Sequence, residues 1–321
     1  MAINKTSPDK WKEDIALSVD LYNSWFMEFA PKAFRETRLK TAVRVKEALE
    51  ATANLTDISV QLLKKYPQVL PILRMSTCPP IARDRLIGLS GVSKTLVMSM
   101  EDLSNPRIPP RIAIEKVEKD LQQISNTIEK MADPDIFAWL NRSNSATELE
   151  VSRASTIIAD RLCGAVFDPI IRNAQEKRQL STISDWLKER NYRHVEGVKF
   201  AEMEAGTYSF RTNVPVFITA NNESAKVNIP IDAVIMPLNS SKGDLPILIE
   251  AKSAGDFTNV NKRRKEEAQK MAQLKNAYGK NIQFGLFLCG YFDSGYLGYE
   301  AAEGIDWVWE HRIDDLALFG L

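Results

Sequence analysis

The 321-residue chain is poor in the residues that build disulfide frameworks and metal clusters, with 3 cysteines and 2 histidines. Cys78, Cys163 and Cys289 are far apart, odd in number and never arranged as CxxC, which excludes a disulfide framework and a structural zinc site; all three are read as buried thiols. His194 and His311 are too scattered for a HExxH site, so any catalysis is expected to rest on carboxylates. Net charge is lacking too. Lys and Arg number 42 and so do Asp and Glu, so no overall field draws the chain to nucleic acid or to an acidic membrane. No run approaches the roughly 18 apolar residues of a membrane span, and MAINKTSPDKWKED holds no apolar stretch that would mark a secretory signal. A cytoplasmic protein with no membrane partner is expected. What is present is an ordinary globular composition, 44% hydrophobic and 26% charged, in a length that favours two domains.

The first ~150 residues read almost entirely as helix, with apolar residues returning at spacings of three and four, as in Ile15, Val19, Tyr22, Phe26 and Phe29. Proline cannot continue a helix interior, so Pro31, the stretch 65–71, Cys78-Pro79-Pro80 and the stretch 105–110 divide this half into an expected five or six helices. The polar stretch NRSNSAT (141–147) reads as a link, with Thr147 and Glu150 spaced as a capping box for the helix that follows. That helix is expected to break near Asp168-Pro169 and resume. Beyond Val195 the text turns to strand-type runs at 208–211, 214–219, 233–236, 247–249 and 284–288, with a helix at 260–278 between the last two. The expected class is α/β (α+β): a mixed central sheet flanked by helices over 147–321, preceded by an all-helical domain over 1–146.

The sharpest local feature is NIPIDAVIMP, the loop LNSSKGDLP, then ILIEAKSAGDF. Asp232 sits on one apolar strand, and Glu250 and Lys252 lie 18 and 20 residues later at the end of the next. Side chains alternate along a strand, so Glu250 and Lys252 share a face, and pairing the strands brings Asp232 beside Glu250. Adjacent carboxylates raise each other's pKa unless a cation lies between them, and hard oxygen ligands suit Mg2+. Asp232 and Glu250 are therefore the candidate metal ligands. Lys252 is the candidate for orienting or deprotonating a water and for neutralising oxyanion charge, a set that suits phosphodiester hydrolysis. The alternative is that Asp232 caps a turn and that Glu250 and Lys252 form an exposed pair on an edge strand, worth under about 1 kcal/mol.

Asp232, Glu250 and Lys252 match the PD-(D/E)xK nuclease motif, with Ile231 in place of the usual proline and Pro230 displaced by one position. Longer blocks, WKEDIALSVDLYNSWF, LRMSTCPPIARDRLIGLSG, IEAKSAGDFTNVNKRRKEEA and LCGYFDSGYLGYEAAEGIDWVWEHRIDDL, resemble the XamI-type restriction endonucleases over nearly the whole chain. The resemblance implies a PD-(D/E)xK restriction-endonuclease-like core in 147–321. It also implies a Mg2+-dependent Type II enzyme that cuts both strands of duplex DNA at a short palindrome, GTCGAC for the family's namesake. For a palindrome a homodimer is expected, since two-fold protein symmetry matches two-fold DNA symmetry, and host DNA requires a cognate methyltransferase. Rival readings are a structure-specific or repair nuclease with the same core, and a catalytically inactive DNA-binding module.

Two segments are candidates for DNA contact. After the motif, Thr258, Asn259, Asn261, Lys262, Arg263, Arg264 and Lys265 crowd the start of the helix expected near Val260, where cations oppose the macrodipole and invite a phosphate backbone. The bland reading is a solvated basic face offset by Glu266 and Glu267. In the helical half, ARDRLIGLSGVSKTLVMSM has the cadence of helix-turn-helix, with Ser93, Lys94 and Thr95 opening the second helix and Arg74, Arg83 and Arg85 adding charge. Glu176, on the helix before the sheet, is either a surface charge or a further carboxylate near the site.

Overall fold

The computed structural model describes residues 3–220, 223–258 and 264–321, without the side chains of 218–220, 223–224 and 264. The chain parts into two compact units, Ala30–Pro169 and Met1–Phe29 with Ile170–Leu321. Both crossings run inside long helices.

In Ala30–Pro169 the helices are the distal part of α1 (Trp11–Ala51), then α2 (Val60–Lys65), α3 (Leu70–Met75), α4 (Arg83–Ser90), α5 (Lys94–Met100), α6 (Ile114–Met131) and the first part of α7 (Glu148–Glu189). Six α-helices thus precede residue 148 among the described residues, within the expected five or six. On α6, Val117, Leu121, Ile124 and Ile128 are buried at spacings of four and three, one apolar stripe against Leu49, Leu63, Leu73, Leu86 and Val97. The polar stretch 141–147 lies within this unit, and the box it was read to contain is formed: the Thr147 amide donates to Glu150 Oε2 at 2.9 Å and Glu150 N donates to Thr147 Oγ1 at 3.4 Å. Arg142, bonded to the same carboxylate, and the two Thr147 donors pull the pKa of Glu150 down to about 2.

Two expected breaks do not occur. Helix α1 continues through Pro31 and α7 through Pro169. A helical proline removes one hydrogen bond and costs about 3 kcal/mol, which long flanking helices with packed faces can absorb. Both prolines stand at the points where the chain passes between the two compact units. Cys78 is a second correction: it is exposed, whereas Cys163 and Cys289 are buried. Its backbone is tied to Met131 O at 2.8 Å, ahead of two prolines, and its side chain is left outside the helical core.

The other unit is built on a six-stranded sheet in sequence order: β1 (Arg193–His194), β2 (Thr207–Ala220), β3 (Glu223–Ile235), β4 (Ile247–Ala254), β5 (Phe284–Gly290) and β6 (Asp306–Trp309). Strand β1 runs parallel to β2, β2 to β4 are antiparallel, and β4 to β6 are parallel. Helix α8, described over Arg264–Tyr278, makes the β4-to-β5 crossover, and α9 (Ser294–Ala302) leads into β6. One face of the sheet packs on α8, α9 and Trp11 through Leu248, Leu286, Leu288, Met271, Leu274 and Tyr296. The other packs on the end of α7 through Ile183, Trp186, Leu187, Ile249 and Phe287. Buried on both sides, β5 reads FGLFLCG with every residue inside. Strand β6 and α9 had no counterpart in the sequence reading; Trp307 and Trp309 on β6 are fully buried.

Candidate active site

The site begins with an irregularity in the β2–β3 hairpin. On β2, Tyr208 faces the α7 side, while Val214 and Val216 face the α8 side. On β3, Ile229 and Ile231 face α8, yet Ala233 and Ile235 face α7. Within each strand the numbers keep their parity while the face changes, so both strands exchange faces at one rung. That rung is Arg211 and Asp232, which is missing from an otherwise continuous ladder, and Arg211 adopts φ 51°. A left-handed residue breaks strand alternation, and a non-glycine there carries strain of order 1 kcal/mol. Arg211 Nε donates to Glu176 Oε1 on α7 at 2.8 Å.

Asp232 therefore lies where β3 turns over and where its pairing with β4 ends, at Ala233 opposite Ile249. The next outward step on β4 is taken by the side chain: Ala251 N donates to Asp232 Oδ2 at 2.8 Å. Glu250 and Lys252 share the α8 face of β4 with Leu248 and Ala254, as alternation requires. Strand β4 lies inside the sheet, between β3 and β5, and Glu250 is 5% exposed. The exposed edge-strand alternative is thereby overturned.

Burial pushes the Asp232 carboxyl up to about 6, and the charge of Glu250 pushes the same way; the Ala251 amide and Lys252 oppose both, and Glu176 adds a smaller upward push. Burial alone would lower the pKa of Lys252, but Glu250 and Glu267 outweigh it and hold the ammonium above its ordinary range. Lys252 Nζ lies 3.1 Å from Glu250 Oε1 and 3.1 Å from Glu267 Oε1. Lys270 Nζ, one turn on along α8 from Glu267, also reaches Glu250 Oε1, at 2.6 Å. The second oxygen of Glu250 is buried with no hydrogen-bond partner among the described residues.

The sequence-derived trio thus converges. Reading the sequence missed Glu267 and Lys270; Glu267 entered it only in the bland alternative, as a partial offset to a solvated basic face, whereas it is 1% exposed. The signal was present, because Glu267, Met271 and Leu274 stand at i, i+4 and i+7 and form the inward stripe of α8. Glu176 is not a bare surface charge, since its field reaches Asp232.

The DNA-contact candidates fare unevenly. Asn259, Asn261, Lys262 and Arg263 lie outside the described residues, as does the side chain of Arg264. Thr258 is exposed, its amide donating to Asp256 Oδ1 at 2.8 Å, and Lys265 is exposed. The helix-turn-helix cadence is realised as elements: α4 ends on Gly91 at φ 63°, Ser93 caps α5 by accepting from Leu96 N, and Lys94 and Thr95 face solvent. Arg74 and Arg83 are not available to an anion as expected. Both are spent on Glu101, Arg74 through Nε at 2.5 Å and Nη2 at 2.9 Å, Arg83 through Nε at 2.9 Å.

Among the described residues no helix is long and apolar enough to cross a membrane, and no group of three or more His, Cys, Asp and Glu side chains could hold a metal ion. What the fold and site define is a mixed α/β protein carrying a carboxylate pair and a clamped lysine on β4, where a parallel crossover begins. The chain belongs to the XamI restriction endonuclease family, enzymes that cleave DNA, whose profile matches residues 53–309. It is 50% identical over 321 residues, 99% of each chain, to the Type II restriction enzyme SalI of Streptomyces albus G. Among solved structures, protein VC1899 from Vibrio cholerae matches at TM-score 0.26 and 11% identity, over 86% of this chain and 55% of that one, a likeness that carries no argument about fold. The family resemblance read from the sequence blocks is borne out.

Proposed function

We propose that the protein is a Type II restriction endonuclease with a PD-(D/E)xK centre, hydrolysing phosphodiester bonds in both strands of duplex DNA at a short palindrome, with GTCGAC as the first site to test. The observation that carries the reading is the convergence of Asp232, Glu250 and Lys252 on adjoining strands, in a chain half identical to a Type II restriction enzyme.

The residues present fit Mg2+. Asp232 and Glu250 are close enough for the charge of one to raise the pKa of the other, and Glu250 Oε2 is a buried carboxylate oxygen with no hydrogen-bond donor among the described residues. Asp232 and Glu250 would hold the ion, with water and phosphate oxygens completing a shell that two carboxylates cannot fill. When bound, Mg2+ supplies Lewis-acid stabilisation of the charge that grows on the phosphate. Two carboxylates face Lys252 and hold its ammonium above its ordinary range, and its proposed role is to orient the attacking water and neutralise oxyanion charge.

Exposed Thr258 and Lys265 flank the stretch 259–263, and together with Arg264 these residues are the proposed phosphate grip beside the site. Ser93, Lys94 and Thr95 at the start of α5 are the proposed major-groove reader. The enzyme is proposed to act as a homodimer and to coexist with a methyltransferase that protects host DNA. Incubation with unmethylated phage DNA in Mg2+, with a chelator control, followed by sequencing of the ends, tests the reading. Discrete fragments sharing one palindromic terminus are expected. Nicking confined to branched or damaged substrates, or no cleavage with intact DNA binding, would overturn it.

A further inference from the structure

Lys252 does not hold its position through β4 alone. Its ammonium lies between two carboxylates, Glu250 from its own strand and Glu267 from the crossover helix, each at 3.1 Å. Glu267 is 1% exposed and sits on the inward stripe of α8 one turn before Met271, where an ordinary helix would carry an apolar residue. Neither of its oxygens makes an aligned hydrogen bond among the described residues, and its one ion pair there is with Lys252. A buried ion pair of this kind is costly to desolvate, and well-packed apolar side chains in place of both Glu267 and Lys252 would serve the fold at least as well. Its retention calls for another role.

We propose that Glu267 is a positioning residue for the cleavage reaction, fixing the Lys252 ammonium in the direction from which it meets the attacking water and the scissile phosphate. The proposal rests on the nuclease reading above. Glu250 alone cannot do this, because its Oε1 is shared with Lys270 Nζ at 2.6 Å and its strand neighbour Lys252 has four rotatable bonds to settle. The second carboxylate, delivered from a different element, turns one contact into a two-point clamp.

The test compares Glu267→Gln, Glu267→Asp and Lys252→Ala with the wild type in single-turnover cleavage of a duplex carrying the cognate site. Dissociation constants for the same duplex in Ca2+ and thermal melting are measured alongside. Glu267→Gln is expected to slow cleavage about 10²-fold, the loss that a misplacement of about 1 Å can cause. Its DNA affinity should stay within about threefold of wild type, and the loss of rate should exceed what any fall in melting temperature accounts for, since removing one partner of a buried ion pair costs stability by itself. Glu267→Asp, which keeps the charge, should recover much of the rate. Wild-type cleavage by Glu267→Gln while Lys252→Ala is inactive overturns this inference and leaves the nuclease reading standing. Equal loss of rate, affinity and melting temperature in both Glu267 variants also overturns it, in favour of a purely structural role. Wild-type cleavage by Lys252→Ala overturns the mechanism on which it rests.

Discussion

Asp232 carries a carboxyl raised to about 6 by burial and by Glu250, and the sign of the consequence follows from linkage. Unfolded, the group ionises near 3.9, so between about 4 and 6 the folded chain binds the extra proton. Above pH 6 the ionised side chain is a destabilising feature of the metal-free fold, absent below about pH 4. Asp232→Asn keeps an acceptor for the Ala251 amide and removes the charge. It is expected to stabilise the metal-free protein by about 1–3 kcal/mol at pH 7.5 and by almost nothing at pH 4. Thermal melting across that range checks it; an equal gain at both pH values would defeat the assignment of the cause. The same variant should lose cleavage altogether. On the proposed reading, a centre tuned this way would trade metal-free stability for affinity for a cation, and the buried oxygen of Glu250 without a partner among the described residues would share in it.

At the scale of elements, the two proline-containing helices were the least legible feature. Local chemistry predicts that Pro31 and Pro169 end helices, and tertiary packing overrides it in both. The cost is still present, so Pro169→Ala, which restores a helical amide, is expected to raise stability by about 1–3 kcal/mol. Calorimetry should show the gain as an upward shift of melting temperature; a fall would mean that the proline shapes α7 in a way its packing needs. The β2–β3 hairpin was only half legible. Both strand runs were visible in 208–219, but the exchange of faces at Arg211 was not, because nothing in its residue type announces φ 51°. Strand β6 was hidden for a related reason: DWVW is four residues, too short for alternation to register, and only its pairing with β5 and its burial identify it. The capping box and the glycine after α4 were readable, because their hydrogen bonds join residues three to five positions apart.

At the scale of the molecule, zero net charge leaves DNA affinity to local basic segments, and the proposed two-fold target would be matched by the proposed pair of chains. Sedimentation of the protein with a duplex carrying one cognate palindrome is expected to give two chains per duplex. A complex of one chain per duplex that cuts one strand at a time would point instead to sequential cleavage by monomers.

The sequence by itself determined the family, the helix-rich half and the sheet that follows, and the trio Asp232, Glu250 and Lys252. It could do so because strand period and motif spacing are local, and two apolar strands joined by a short loop have one sensible pairing. The tertiary structure alone decided which oxygens meet which ammonium groups. Glu267 and Lys270 are 15 and 18 residues from Lys252 along the chain, and they reach the site only because α8 folds back across β4 with one face inward. Contacts of that kind depend on how two elements pack, and no period in either element encodes them.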